Sequence, residues 1–83
     1  MIELTLDGAL GMEAIHDQLA QALQFPAFYG RNLDALYDCL TEVQTDVCFS
    51  LKNLHALGRR GPALQILLQK AALLNPHIQL EME

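Results

Sequence analysis

Residues 26–42 read Pro26-Ala27-Phe28-Tyr29-Gly30-Arg31-Asn32-Leu33-Asp34-Ala35-Leu36-Tyr37-Asp38-Cys39-Leu40-Thr41-Glu42. Asn32 suits a helix N-cap, because its side-chain oxygen can accept a free N–H of the first turn. From there Leu33, Leu36, Leu40 and Val43 recur at helical spacing, with Tyr37 at the border of the stripe. A helix is therefore predicted from Asn32 onward. Phe28 and Tyr29, between a proline and Gly30, belong to the loop before it, and at least one of them is exposed. On the helix Asp34, Asp38 and Glu42 fall at i, i+4 and i+8, one row on the face roughly opposite the apolar stripe. Like charges at that spacing destabilise a helix by about 0.2–0.5 kcal/mol per pair. The positive N-terminal end of the helix accounts for Asp34. It does not account for Asp38, and Glu42 stands at the wrong end. A cationic partner docking on the row would account for all three.

Upstream, Ile2-Glu3-Leu4-Thr5-Leu6 alternates strictly and reads as a strand ended by Asp7-Gly8. Met12, Ile15, Leu19, Ala22 and Leu23 give a helix that Phe25-Pro26 closes. Downstream, Val47, Phe49 and Leu51 alternate with Cys48, Ser50 and Lys52, a second strand. Asn53 is read as the cap of a short helical turn with Leu54 and Leu57, ended by Gly58. Gly61-Pro62 opens a last helix, with proline at its first position. Its core face is Leu64, Leu67, Leu68, Ala71 and Leu74, widened by Ile66, Ala72 and Leu73, which predicts the most buried helix of the chain. Asn75-Pro76 stops it. Ile78, Leu80 and Met82 then alternate with His77, Gln79, Glu81 and Glu83 as a third strand.

Helical crossovers between strands favour a parallel sheet with right-handed connections. A parallel sheet covered on both faces would read as continuous apolar runs, whereas these strands alternate. The fold class expected is α/β: a two-layer domain with a three-stranded parallel sheet, helices packed on one face and the other face wet. The chain of 83 residues is expected to be one domain, 1–83, and monomeric. Such a chain buries roughly 60–65% of its unfolded surface, and its 52% hydrophobic content can supply the core.

Ten acidic residues against five basic ones give a net charge of −5, which argues against direct nucleic-acid binding and favours a basic protein partner. No basic, apolar secretory segment opens the chain, and no apolar run approaches ~20 residues, so neither export nor a membrane span is expected. Cys39 and Cys48 are read as reduced, mostly buried thiols of a cytoplasmic protein. The two cysteines and three histidines are scattered singly, without a zinc pattern. Gly58-Arg59-Arg60-Gly61 is a basic turn that lacks the spacing of a phosphate loop. His16, His55 and His77 have no nucleophile partner in sequence and are read as surface or structural residues.

The segment from Phe25 to Thr41 resembles the barstar family, small intracellular inhibitors of secreted bacterial ribonucleases. The core of the likeness is Tyr29-Gly30-x-Asn32-Leu33-Asp34-Ala35-Leu36-Tyr37-Asp38-Cys39-Leu40, and the order of elements along the chain also fits. The resemblance implies a domain that plugs a ribonuclease active site with its second helix and the preceding loop, without cofactor or metal. Asp38 would enter the phosphate-binding site and Asp34 would pair with nearby basic residues. Phe28 would stack at the enzyme's rim, and Tyr29, Gly30, Asn32, Tyr37 and Thr41 would supply the surrounding contacts. Four positions depart from the family's type member: Phe28 replaces a tyrosine, Tyr37 and Val43 replace tryptophans, and Gln69 stands where an acidic contact residue is expected on the last helix. Arg31 tempers the acidity of the segment or pairs with a neighbouring carboxylate.

A different reading keeps the fold but makes it a generic interaction module, whose acidic face binds another basic protein. Catalysis is not expected, since both aspartates sit on one exposed helix face with little pocket around them. An Asp-x-x-x-Asp divalent-ion site would show as Mg²⁺ or Ca²⁺ binding lost in Asp34→Asn.

Overall fold

Alternation along the strands sets the sheet. In the computed structural model, which describes residues 1–82, β1 (Ile2–Asp7), β2 (Val47–Lys52) and β3 (Ile78–Met82) form one parallel sheet in the order β1-β2-β3. Glu83, assigned above to the polar side of the last strand, lies outside the described residues. The register puts Ile2, Val47 and Ile78 in one row, and Leu4, Phe49 and Leu80 in the next. These rows face α1 (Met12–Leu23), α2 (Leu33–Thr41) and α3 (Arg60–Leu74). Glu3, Thr5, Gln79 and Glu81 point the other way and are exposed, giving the two-layer arrangement with one wet face. Cys48 lies on that wet face but is buried in the central strand, where desolvation first, then Glu81 and Glu3, push its thiol pKa up.

The core joins Leu6, Phe49 and Leu51 of the sheet to Ile15 and Leu19 of α1, Leu36 and Leu40 of α2, and Leu64 and Leu68 of α3. Each such side chain contributes about 1.5–3 kcal/mol of transfer free energy. Three expectations are corrected. α3 begins at Arg60, so Pro62 is its third residue, still within the first turn whose N–H groups lack helical partners. α3 is not uniformly buried: Leu73 is 86% exposed, Leu74 68% and Ile66 52%. At about 100° per residue, Leu64, Leu68 and Ala71 cluster in a single stripe, while Leu73 and Ile66 fall roughly opposite. Asn53 does not cap the following 3₁₀ turn (Leu54–Leu57). It adopts φ 54°, and its amide donates instead to Asp7 Oδ1 at 3.0 Å. Asp7 also accepts from Ala9 N–H, opening a further 3₁₀ turn (Gly8–Leu10). Gly61 is buried against this region, and a Cβ there would meet the Leu54 carbonyl.

Candidate partner interface

Asn32 caps α2 as the sequence suggests. Its backbone is extended, and its Oδ1 accepts from Ala35 N–H at 2.8 Å. The helix ends at Thr41, so Val43 lies outside it and Glu42 is its C-cap. The acidic row is thus Asp34 and Asp38 on α2, with Glu42 one step past the end. All three are exposed, and among the described residues no basic group lies within 4.0 Å of their carboxylates. Cys39 sits half-buried between them; desolvation and then the charges of Glu42 and Asp38 raise its thiol pKa. Thr41 is exposed, but its hydroxyl donates to the Asp38 carbonyl at 2.8 Å and so is engaged in the last turn.

The loop before α2 separates its two aromatic residues. Phe28 is 86% exposed. Tyr29 is half-buried, packed edge-on to Phe25 at 4.9 Å between ring centroids. Its hydroxyl and Nδ1 of buried His16 share a hydrogen bond of 2.6 Å. Burial pushes the Tyr29 phenol up to about 12, and burial likewise lowers the His16 pKa, with the Arg31 charge adding to it. Gly30 and Asn32 are exposed beside them.

Arg31 does not temper the acidic row. Its guanidinium turns back to α1, 2.6 Å from Glu13 Oε2 and 2.9 Å from Asp17 Oδ1, and it also donates to the Glu13 carbonyl at 3.3 Å. Hydrogen bonds to Glu13 and then Asp17 raise its pKa still further. Arg31 has φ 54°, a left-handed conformation uncommon for a non-glycine residue. The α1 contacts hold it there.

An open groove of about 720 Å³ runs between α2 and α3. Its apolar lining is Leu33, Ala63, Ile66 and Leu67, with Tyr37, and its charged groups are Asp34, Asp38 and Lys70. The structure thus brings Asp34, Tyr37 and Asp38 into one groove, which corrects the expectation of little pocket around the two aspartates: α3 packs beside α2 and supplies the second wall. Phe28, Tyr29, Gly30 and Asn32 stand on the loop leading to it, and Thr41 at the far end of α2. Gln69 is exposed but does not line the groove; Lys70 does. The signal for Lys70 was its spacing with Ala63, Ile66 and Leu67, readable only once the phase of α3 is known. Glu13, His16 and Asp17, which hold the loop, had no periodic signal that points to it.

Residues 1–74 match the family described as Barstar (barnase inhibitor). The chain belongs to the barstar family. A Bacillus subtilis (strain 168) protein named putative ribonuclease inhibitor YrdF is 46% identical over 56 residues, which cover 64% of this chain and 62% of that protein. The match therefore spans under two thirds of the relative's length. In this barstar-family chain, the segment that carried the resemblance is the one that builds the loop, α2 and one wall of the groove. Among the described residues no group of three or more His, Cys, Asp or Glu side chains is placed to hold a metal ion, and no helix is long and apolar enough to cross a membrane.

Proposed function

We propose that this barstar-family chain is an intracellular inhibitor that occludes the cationic active site of a small ribonuclease. The observation that supports this most is the pair Asp34 and Asp38, exposed on α2 without a cation within 4.0 Å among the described residues, beside a loop that presents Phe28. A ribonuclease site must hold phosphates and is built from basic groups. Two carboxylates on a rigid helix can take their place and receive charge-assisted hydrogen bonds from arginine and lysine. Asp38 enters the phosphate-binding position, Asp34 pairs at its side, and Phe28 covers the rim. Gly30, Asn32 and Thr41 contribute contacts around them, while Tyr29 and Tyr37 support the loop and the groove. The inhibitor works by filling the site, with no bond made or broken and no cofactor.

The test is inhibition of RNA cleavage by barnase, the target in the family's description, with wild type, Asp38→Ala and Glu42→Ala. A carboxylate whose burial leaves its partner cation unpaired when removed costs about 3–5 kcal/mol, so Asp38→Ala is expected to weaken inhibition by two to four orders of magnitude. Glu42, at the rim, is expected to cost under about 1 kcal/mol. Equal, small losses in both variants would remove the role assigned to Asp38.

A further inference from the structure

Lys70 stands on the α3 wall of the groove, in line with Ala63, Ile66 and Leu67, while Asp34 and Asp38 occupy the α2 wall. Its side chain is exposed, and among the described residues no carboxylate lies within 4.0 Å of its ammonium. Whatever fills the groove therefore meets three charges of two signs. A surface made only of arginine and lysine gains at Asp34 and Asp38 but is repelled at Lys70. A basic surface that also offers a carboxylate toward α3 gains at all three. From this charge pattern we infer that Lys70 is a specificity residue: it turns the groove away from uniformly cationic surfaces and toward a basic protein with an acidic side chain facing α3. The inference rests on the reading of the α2 face as the partner interface.

Two synthetic peptides test it, hexa-arginine and (Arg-Arg-Glu)₂, each titrated by NMR at physiological salt into wild type, Lys70→Glu and Arg59→Glu. The last two variants change net charge equally. Arg59 precedes α3, ~16 Å along the helix from Lys70, about twice the screening length at that salt. Close-range electrostatics predicts that Lys70→Glu raises the preference for hexa-arginine over the mixed peptide about tenfold, with Arg59→Glu changing it less than about twofold. An equal shift in both variants, or none in either, overturns the inference. Asp34→Asn/Asp38→Asn separates the two readings. If that variant loses hexa-arginine binding while Lys70→Glu changes nothing, the role of Lys70 alone fails. Amide shifts confined to a surface other than the groove overturn both.

Discussion

Asn75 is a buried amide, 5% exposed, that ties the end of α3 to the end of α2. Its Nδ2 donates to the Leu40 carbonyl at 2.9 Å and the Val43 carbonyl at 2.8 Å, and its Oδ1 accepts from His77 N–H at 3.0 Å. Leu40 lies in the last turn of α2, and its carbonyl also accepts from Val43 N–H at 3.3 Å, whereas the Val43 carbonyl lies past the helix end. Asn75→Ala removes all three bonds and leaves the Val43 carbonyl without its donor and the His77 N–H without its acceptor, while the Leu40 carbonyl keeps Val43 N–H. A hydrogen bond contributes about 1 kcal/mol net, and an unsatisfied buried group costs about 1–3 kcal/mol. Allowing for access of water at Val43 and His77, the expected loss is about 2–4 kcal/mol. That is a large part of the stability of a domain this size, roughly 0.05–0.15 kcal/mol per residue. Equilibrium unfolding in urea reads it as a fall in midpoint at unchanged m. Asn75→Asp sharpens the test. The shape is kept, but a carboxylate now faces two carbonyls and cannot donate, so its folded-state pKa rises above the unfolded one. Such a group is least harmful below the unfolded pKa and increasingly destabilising as pH rises through the folded pKa. Asn75→Asp is therefore expected to recover stability, relative to wild type, on acidification. A loss under about 1 kcal/mol in Asn75→Ala, with m unchanged, would refute the reasoning, because the Val43 carbonyl and the His77 N–H would then be satisfied without Asn75.

Three further outcomes are expected. Glu13→Gln/Asp17→Asn breaks exposed, solvent-screened ion pairs and should barely move the unfolding midpoint, yet amide exchange at Gly30 and Asn32 should quicken measurably; unchanged exchange would mean the loop holds itself. His16 is buried with its pKa lowered from 6.5, so the unfolded chain takes up its proton first and stability contributed by this residue is full above 6.5 and falls as pH drops below it. His16→Gln should flatten that part of the pH–stability curve measured by urea unfolding. Gly61→Ala sets a Cβ against the Leu54 backbone, which cannot swing aside as a side chain can, and should lower stability by about 1–3 kcal/mol in the same assay.

The sheet was legible in the sequence because a strand's side chains take opposite faces, so alternation in each strand directly gives its buried row. α2 was legible for a similar reason: one narrow apolar stripe and one cap fix its phase. α3 was not. Leu64 to Leu74 is apolar on nearly every side, so spacing alone cannot say that Leu68 and Ala71 are buried while Leu73 is bare. The phase of α3 is set by the stripe that fits α2 and the sheet, and Lys70 becomes a groove residue only through that phase. The end of α2 was misjudged by two residues because it is tertiary in origin, with Asn75 taking the carbonyls of Leu40 and Val43 from 32 or more positions away. The acids of the row were visible as a row; that they stay unneutralised was not.

That last point turns on Arg31. It lies three positions before Asp34, the nearest cation in sequence to the row, and a free arginine there would reach across the first turn of α2. Instead Glu13 and Asp17 hold its guanidinium on α1, with Tyr29 anchored to His16 beside it. Two carboxylates on α1 thus do two things at once. They stabilise a left-handed residue in the loop that aims Phe28 outward, and they keep Arg31 away from Asp34 and Asp38. Local helix energetics would be improved by letting Arg31 fall on the row. An arrangement that forgoes that gain and preserves an uncompensated negative face makes physical sense if the compensating cation comes from another molecule.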